Sequence, residues 1–251
     1  MSDPMLTVSG IRKGFAGVAA LRDLSFAVDR GEVLALIGPN GAGKTTCFNV
    51  IHGQLAPDAG DVRFEGRSIA GLPTHAIARL GIGRTFQVAA TFASMTVREG
   101  AVLALAARDR GDGRVVTGLM PAASAEADAL LARVGIADLA DTHCAALAYG
   151  DAKRVELAMA LAGNPRLLLM DEPTAGMAPQ SRRELMQLAT GLVRLGEVAM
   201  VFTEHDMDIV FEFADRIIVL DHGRAIAEGA PAAIRADPRV RAVYLGEDLP
   251  A

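Results

Sequence analysis

Tryptophan is absent and tyrosine occurs only twice, so aromatic residues make up 4% of the chain, and much of its 51% apolar content is alanine and aliphatic side chains. Cysteine is scarce too. Cys47 and Cys144 lie far apart and in no metal-ligand spacing, which argues against a disulfide framework or a thiolate zinc site and leads us to expect two reduced thiols in a cytosolic protein. No apolar run approaches the roughly 20 residues that a bilayer-crossing helix requires. The first residues, MSDPMLTVSG, have neither the charged nor the apolar region of a signal peptide, which again favours the cytosol. An excess of positive charge is also missing. A formal charge of −5 and a pI near 5.6 speak against binding to nucleic acid, which wants a basic surface. Arg182–Arg183 and the Arg235, Arg239, Arg241 set are expected on solvated helix faces. Internal repeats, low-complexity linkers and heptads are lacking. What remains is a chain of 251 residues, the size of one large α/β domain and long enough to bury a core without disulfides or metal.

The first third has the pattern of half-buried strands. Leu6, Val8 and Ile11, then Leu24, Phe26 and Val28, then Val62 and Phe64 alternate with polar residues between Gly and Asp turns. Four continuous apolar runs follow another rule: VLALI at 33–37, LLLM at 167–170, VAMVF at 198–202 and IIVL at 217–220. Such runs suit strands buried on both faces, as in a parallel sheet covered by helices. Helical stretches separate the last three runs, one with Leu185, Leu188 and Leu192 on one face and Gly196 as its stop, which implies right-handed βαβ units. From about Gln87 to Ala146 no strand-like run occurs. Helical spacing over Val97 to Ala107 and Ala125 to Val134 reads as a helical lobe inserted into the sheet domain.

Two motifs carry chemistry. Gly38, Pro39, Asn40, Gly41, Ala42, Gly43, Lys44 and Thr45 match G-x-x-x-x-G-K-[ST] directly after the VLALI strand and before a helical stretch, the context this phosphate-binding loop needs. Its glycines let backbone N–H groups curl around phosphate oxygens, the helix N-terminus adds its positive end, and Lys44 reaches the β and γ phosphates. The Thr45 hydroxyl is placed to ligate Mg²⁺. In LLLMDEP, at 167–173, an apolar strand ends in Asp171, a carboxylate able to hold that metal directly or through water. Glu172, one residue beyond, is placed to orient or deprotonate an attacking water.

With these motifs in order the chain resembles the nucleotide-binding subunits of ATP-binding-cassette (ABC) transporters over almost its whole length. The resemblance implies the ABC ATPase fold: an α/β P-loop NTPase with a mixed β-sheet core, an antiparallel β subdomain and an inserted helical subdomain. It implies one ABC ATPase domain over 1–251, with 1–86 and 163–237 as nucleotide-binding core, 87–162 as helical subdomain and 238–251 as C-terminal tail. ATP and Mg²⁺ are the implied cofactors, with Thr46 joining the phosphate loop. Phe15, in KGFAGVAAL, takes the place of the aromatic platform under adenine. Gln87, in GIGRTFQ, resembles the loop glutamine that touches metal and water. His205, in FTEHD, resembles the switch histidine that contacts the γ-phosphate. TAGMAP, at 174–179, resembles the loop joining the two nucleotide sites, with Ala178 where the usual Asp stands. LAYGD, from Leu147 to Asp151, resembles the signature usually written LSGGQ, which reaches the nucleotide held by the other subunit. Ala148, Tyr149 and Gly150 are therefore expected to bind nucleotide across a dimer, although Ala148 cannot supply the hydrogen bond of the usual Ser, and Asp151 replaces Gln. Lys153, Arg154 and Glu156 are expected on the wet face of the helix that follows.

GIGRTFQ, ATFASMTVREG, LAYGD and the tail EGAPAAIRADPRVRAVYLGED look like those of branched-chain amino-acid importers and their relatives. This implies a peripheral subunit on the cytoplasmic face of a membrane, working with a second ATPase subunit (a different chain, or in isolation a second copy of this one), two transmembrane permeases and an external substrate-binding protein, and not with nucleic acid. Transported substrates in that branch include other small amides and acids. The alternatives are an ABC exporter or lipid-extraction subunit and a soluble ABC ATPase of translation or repair. Against the soluble class stand the single phosphate loop and the absence of heptads. A plain P-loop kinase would lack the signature.

Overall fold

The structure, a computed structural model, describes residues 3–85, 93–109, 120–195 and 198–245. Strands β1 (Leu6–Phe15), β2 (Val18–Val28) and β3 (Val33–Ile37) lead into helix α1 (Lys44–Ile51). Then come β4 (Ala59–Phe64), β5 (Arg67–Ser68), α2 (Thr74–Arg79) and β6 (Ile82–Arg84). Helices α3 (Val97–Asp109), α4 (Met120–Arg133) and α5 (Tyr149–Ala162) follow. Then follow β7 (Leu167–Asp171), α6 (Pro179–Arg194), β8 (Ala199–Thr203), α7 (Met207–Phe213), β9 (Arg216–Asp221), β10 (Arg224–Gly229), α8 (Pro231–Ala236), α9 (Pro238–Val240) and a π-helical turn, Arg241–Leu245. One sheet is antiparallel, in the order β2-β1-β4-β5; the other runs β10-β9-β3-β8-β7-β6. The second is parallel throughout except for β10, which pairs antiparallel with β9.

The four apolar runs form the parallel centre of the second sheet, and their burial explains why they do not alternate. Successive side chains of a strand point to opposite faces, and here both faces are covered. Val33, Ala35, Ile37, Leu168, Met170, Met200 and Phe202 pack with the buried faces of α5, α6 and α7 and with α3 and α4. Leu34, Leu36, Leu167, Leu169 and Val201 pack with α1 and the inner face of the antiparallel sheet. Helix α1 thus lies in the core between the two sheets, with Cys47, Phe48 and Ile51 buried. Both cysteines are buried and free. Among the described residues no helix is long and apolar enough to cross a membrane.

Three features depart from the sequence expectation. The short β6, paired with β7, carries too few residues to show a period. Helix α6 buries Leu185, Met186, Ala189 and Val193 most deeply, with Leu188 and Leu192 partly covered at the margin; its expected stop, Gly196, lies outside the described residues. Helix α5 begins at Tyr149, so Tyr149 and Gly150 form its first turn instead of preceding it.

Arg216 pins the two sheets together. From the start of β9 its guanidinium forks onto Glu32 at 2.6 and 3.0 Å, bonds the Ala27 carbonyl of β2 at 2.6 Å and pairs with Glu228. Charged hydrogen bonds of this kind contribute more than neutral ones, and truncation leaves a half-buried carboxylate without its fork. Arg216→Ala is expected to lower unfolding free energy by about 2 kcal/mol in urea titrations, with Arg216→Lys recovering only part.

His52, which ends α1, is 2% exposed. Burial, and secondarily the charge of Arg84, lowers its pKa from 6.5 to about 4. Between those values the unfolded chain takes up a proton that the folded chain refuses, so this residue makes stability fall as pH drops through the window. Denaturation midpoints measured from pH 7 to pH 4 should fall less steeply in His52→Gln than in the parent.

Candidate active site

The loop between β3 and α1 is shaped by its glycines. Gly38 has φ +154°, and a Cβ there would sit 2.3 Å from the Leu220 carbonyl oxygen. Gly43 has φ +106°, and its Cβ would meet the Ala20 oxygen at 2.6 Å. Neither position admits a side chain, so the backbone of the loop closes against β9 and β2, and α1 starts at Lys44 without a side-chain cap, leaving the loop beside the unsatisfied N–H groups that every helix has in its first turn. The Lys44 ammonium donates to the carbonyls of Gly38 at 2.6 Å and Pro39 at 3.2 Å. Burial lowers its pKa, and the nearby Glu172 and Asp171 carboxylates pull it back up. Asn40 and Gly41 are exposed at the loop's crest, with Ala42 buried beneath. Thr45 is exposed and Thr46 half-buried on the first turn of α1.

The opposite wall comes from the ends of β7 and β8. Their parallel register sets Asp171 against Thr203. The Thr203 hydroxyl donates to Asp171 Oδ1 at 2.8 Å and accepts the Glu172 N–H at 3.0 Å. At Glu172 the chain turns out of the sheet with φ +47°, a conformation that costs a non-glycine residue about 1 kcal/mol or more and persists where its surroundings impose it. Glu172 Oε1 lies 2.7 Å from His205 Nε2. Asp206, next in sequence, caps α7 by accepting the Asp208 and Ile209 N–H groups, which holds the His205 backbone at the helix entrance.

Arg84, at the end of β6, completes the wall. It bonds Asp171 Oδ2 at 3.1 Å, Asn49 Oδ1 at 2.8 Å and Gln54 Oε1 at 3.0 Å. Thr45, Arg84, Lys153, Glu156, Asp171 and Glu172 line one cleft of about 300 Å³. Hydroxyl and carboxylate oxygens converge there beside the glycine cradle, a donor set that fits a hard divalent cation held together with phosphate.

Helix α5 corrects the expectation for its wet face. Lys153 is 7% exposed, bonds Glu156 at 3.0 Å, and both face the cleft; only Arg154 reaches outward, to Glu184. A three-residue spacing of opposite charges looks the same on a solvated face and on one packed over a polar cleft, so sequence alone could not separate them. Arg182 likewise does not float in solvent: it bonds the Met177 carbonyl and Asp206, each at 2.7 Å.

The remaining predicted residues fall elsewhere. Phe15 ends β1, 45% exposed as a residue, with Lys13 Nζ 5.7 Å from the ring centroid, so it does not fill the core. Ala148 is the N-cap of α5 and makes no side-chain cap bond. Tyr149 is 54% exposed, next to Gly176, and Gly150 faces Met177. These three do not line the cleft that holds Thr45, Asp171 and Glu172. Ala178 caps α6, again with no side-chain bond. Gln87 lies outside the described residues. Arg84, Thr203 and Glu204 were not singled out from the sequence; an arginine inside the otherwise apolar GIGR and the polar run TEHD closing an apolar strand were the available signals.

The family model described as "ABC transporter" matches residues 21–175, and one described as "Branched-chain amino acid ATP-binding cassette transporter" matches 226–249. The chain is 38% identical to the high-affinity branched-chain amino acid transport ATP-binding protein LivG of Salmonella typhimurium, covering 98% of this chain and all of that one. It is 35% identical to the lipopolysaccharide export system ATP-binding protein LptB of Escherichia coli, over 97% and 98% of the two chains. Among solved structures, the ADP conformation of an ATP-binding cassette of an ABC transporter superposes with a TM-score of 0.87 at 31% identity, covering 98% of this chain and 100% of that one. The fold agrees with these likenesses, and the chain belongs to the ATP-binding cassettes of the ABC transporter family.

Proposed function

We propose that this chain is the ATP-hydrolysing subunit of a membrane ABC importer for branched-chain amino acids or related small amides and acids. The observation that carries it is the meeting, in one cleft, of the phosphate-loop helix with Asp171 and Glu172, the latter held by His205. In this reading the backbone from Gly38 to Gly43, with Lys44, Thr45 and Thr46, wraps the triphosphate, and Phe15 stacks on adenine. Thr45, Asp171 and Gln87 hold Mg²⁺, which when bound neutralises charge on the phosphate oxygens. Both Asp171 oxygens already accept a bond from the protein; each keeps accepting capacity for a metal or its water. Glu172 accepts a proton from the attacking water as the water oxygen bonds to the γ-phosphorus and the bond to ADP breaks, while the Nε2–H of His205 is shared between the Glu172 carboxylate and a γ-phosphate oxygen.

Ala148, Tyr149 and Gly150 stand outside their own chain's cleft and present a helix N-terminus to a second ATPase subunit, whose nucleotide they complete. ATP then closes the pair, hydrolysis opens it, and the difference in affinity between closed and open states does the work. The helical segment 87–162 passes this motion to two permeases at the cytoplasmic face, with an external protein delivering substrate. Import is supported by the branched-chain family match at the C-terminus and the LivG likeness; the LptB likeness marks export as the alternative that the transported molecule would reveal.

Glu172→Gln is expected to bind ATP with unchanged affinity while its turnover falls by about 10²-fold or more. Lys44→Ala should instead lose binding, as read by equilibrium titration with a fluorescent ATP analogue. Parent-level turnover in Glu172→Gln would remove Glu172 from the chemistry.

A further inference from the structure

The loop after β7 and the segment after β8 are fastened to each other at two further points. Glu204 is a buried carboxylate, 3% exposed, and none of the motifs accounts for it. Its Oε1 accepts both the N–H and the hydroxyl of Thr174, at 2.8 and 2.7 Å, and its Oε2 accepts the His205 N–H at 3.2 Å. Arg182 makes the second fastening. From α6 it donates to the Met177 carbonyl and to Asp206, as described above. The clasps therefore flank His205 on either side in sequence. Burying a carboxylate is costly unless its oxygens are matched by donors, and here the donors come from the two loops it joins. The loop so held continues to Gly176 and Met177, which abut Tyr149 and Gly150 at the start of α5.

We infer that Glu204 and Arg182 are positioning residues that make loop 174–178 and segment 203–206 one mechanical unit, so that whatever displaces the loop or Tyr149 resets the His205–Glu172 pair. This rests on the reading of Glu172 and His205 as the hydrolytic pair. The packing is contiguous from Tyr149 through Gly176, Thr174 and Glu204 to His205. Contiguity becomes coupling only if breaking a clasp changes chemistry without changing binding.

The test uses the purified full-length chain and steady-state ATP hydrolysis. Thr174→Val removes the hydroxyl and keeps the shape; Thr174→Ser keeps the hydroxyl; Arg182→Met opens the outer clasp on a partly exposed side chain. Thr174→Val and Arg182→Met are each expected to lower kcat about tenfold with KM for ATP changed by less than about twofold, and Thr174→Ser to restore kcat. A residue serving stability alone would lower the melting temperature and leave kcat per folded molecule intact, which would overturn the inference. Should Thr174→Val fail to fold, Arg182→Met decides the matter alone. Glu172→Gln runs in parallel: parent-level turnover there overturns the hydrolytic reading and the clasp with it. An inactive Glu172→Gln beside unchanged kcat in both clasp variants overturns the clasp only.

Discussion

Between Leu167 and Asp171, β7 lies parallel to β8 with Asp171 opposite Thr203, and the site depends on that register. Side chains alternate along a strand, so a slip by one residue would exchange the two buried faces and turn Asp171 away from the phosphate loop. Here the pairing is continued past the end of the sheet by side chains. Thr203 holds Asp171 and the Glu172 N–H, Glu204 holds Thr174, and His205 holds Glu172. Three consecutive residues on one chain segment each grip a residue of the other.

The register is fixed by burial. Because alternate residues of β3, β7 and β8 enter different apolar clusters, one shared with α5 to α7 and the other with α1 and the antiparallel sheet, no slipped arrangement satisfies both. The same packing places α1, and with it Lys44 and Thr45, opposite the strand ends. Arg84 then joins the two walls by gripping Asp171 from one side and Asn49 and Gln54 from the other. Burial lowers its pKa while Asp171 raises it. The positive charge there is balanced by the acid it orients.

Much of this was legible in the sequence, for physical reasons. Continuous apolar runs announce strands covered on both faces, and the phosphate loop and the Asp-Glu pair encode local geometry in residue types that few other structures need. Features made by juxtaposition were not legible. Thr203 is an ordinary strand-end threonine until Asp171 lies opposite it. Glu204 and Arg182 are ordinary charges until the loop after β7 folds over them, and Lys153 and Glu156 are an ordinary helix pair until α5 covers the cleft. Strand β6 is too short to declare itself, yet it delivers Arg84. The family resemblance supplied roles for Phe15, His205 and the LAYGD segment that their own neighbourhoods in sequence do not state.

The claim that register delivers the metal-holding acid can be tested with Mn²⁺ in place of Mg²⁺. Electron paramagnetic resonance would follow Mn²⁺ binding to the ATP-loaded chain in the parent, in Asp171→Asn and in Thr203→Val. Binding should weaken about tenfold or more in Asp171→Asn, and measurably in Thr203→Val, where only the orienting hydroxyl is lost. Parent-level Mn²⁺ affinity in both variants would contradict the account, because the paired ends of β7 and β8 would then have no part in holding the metal.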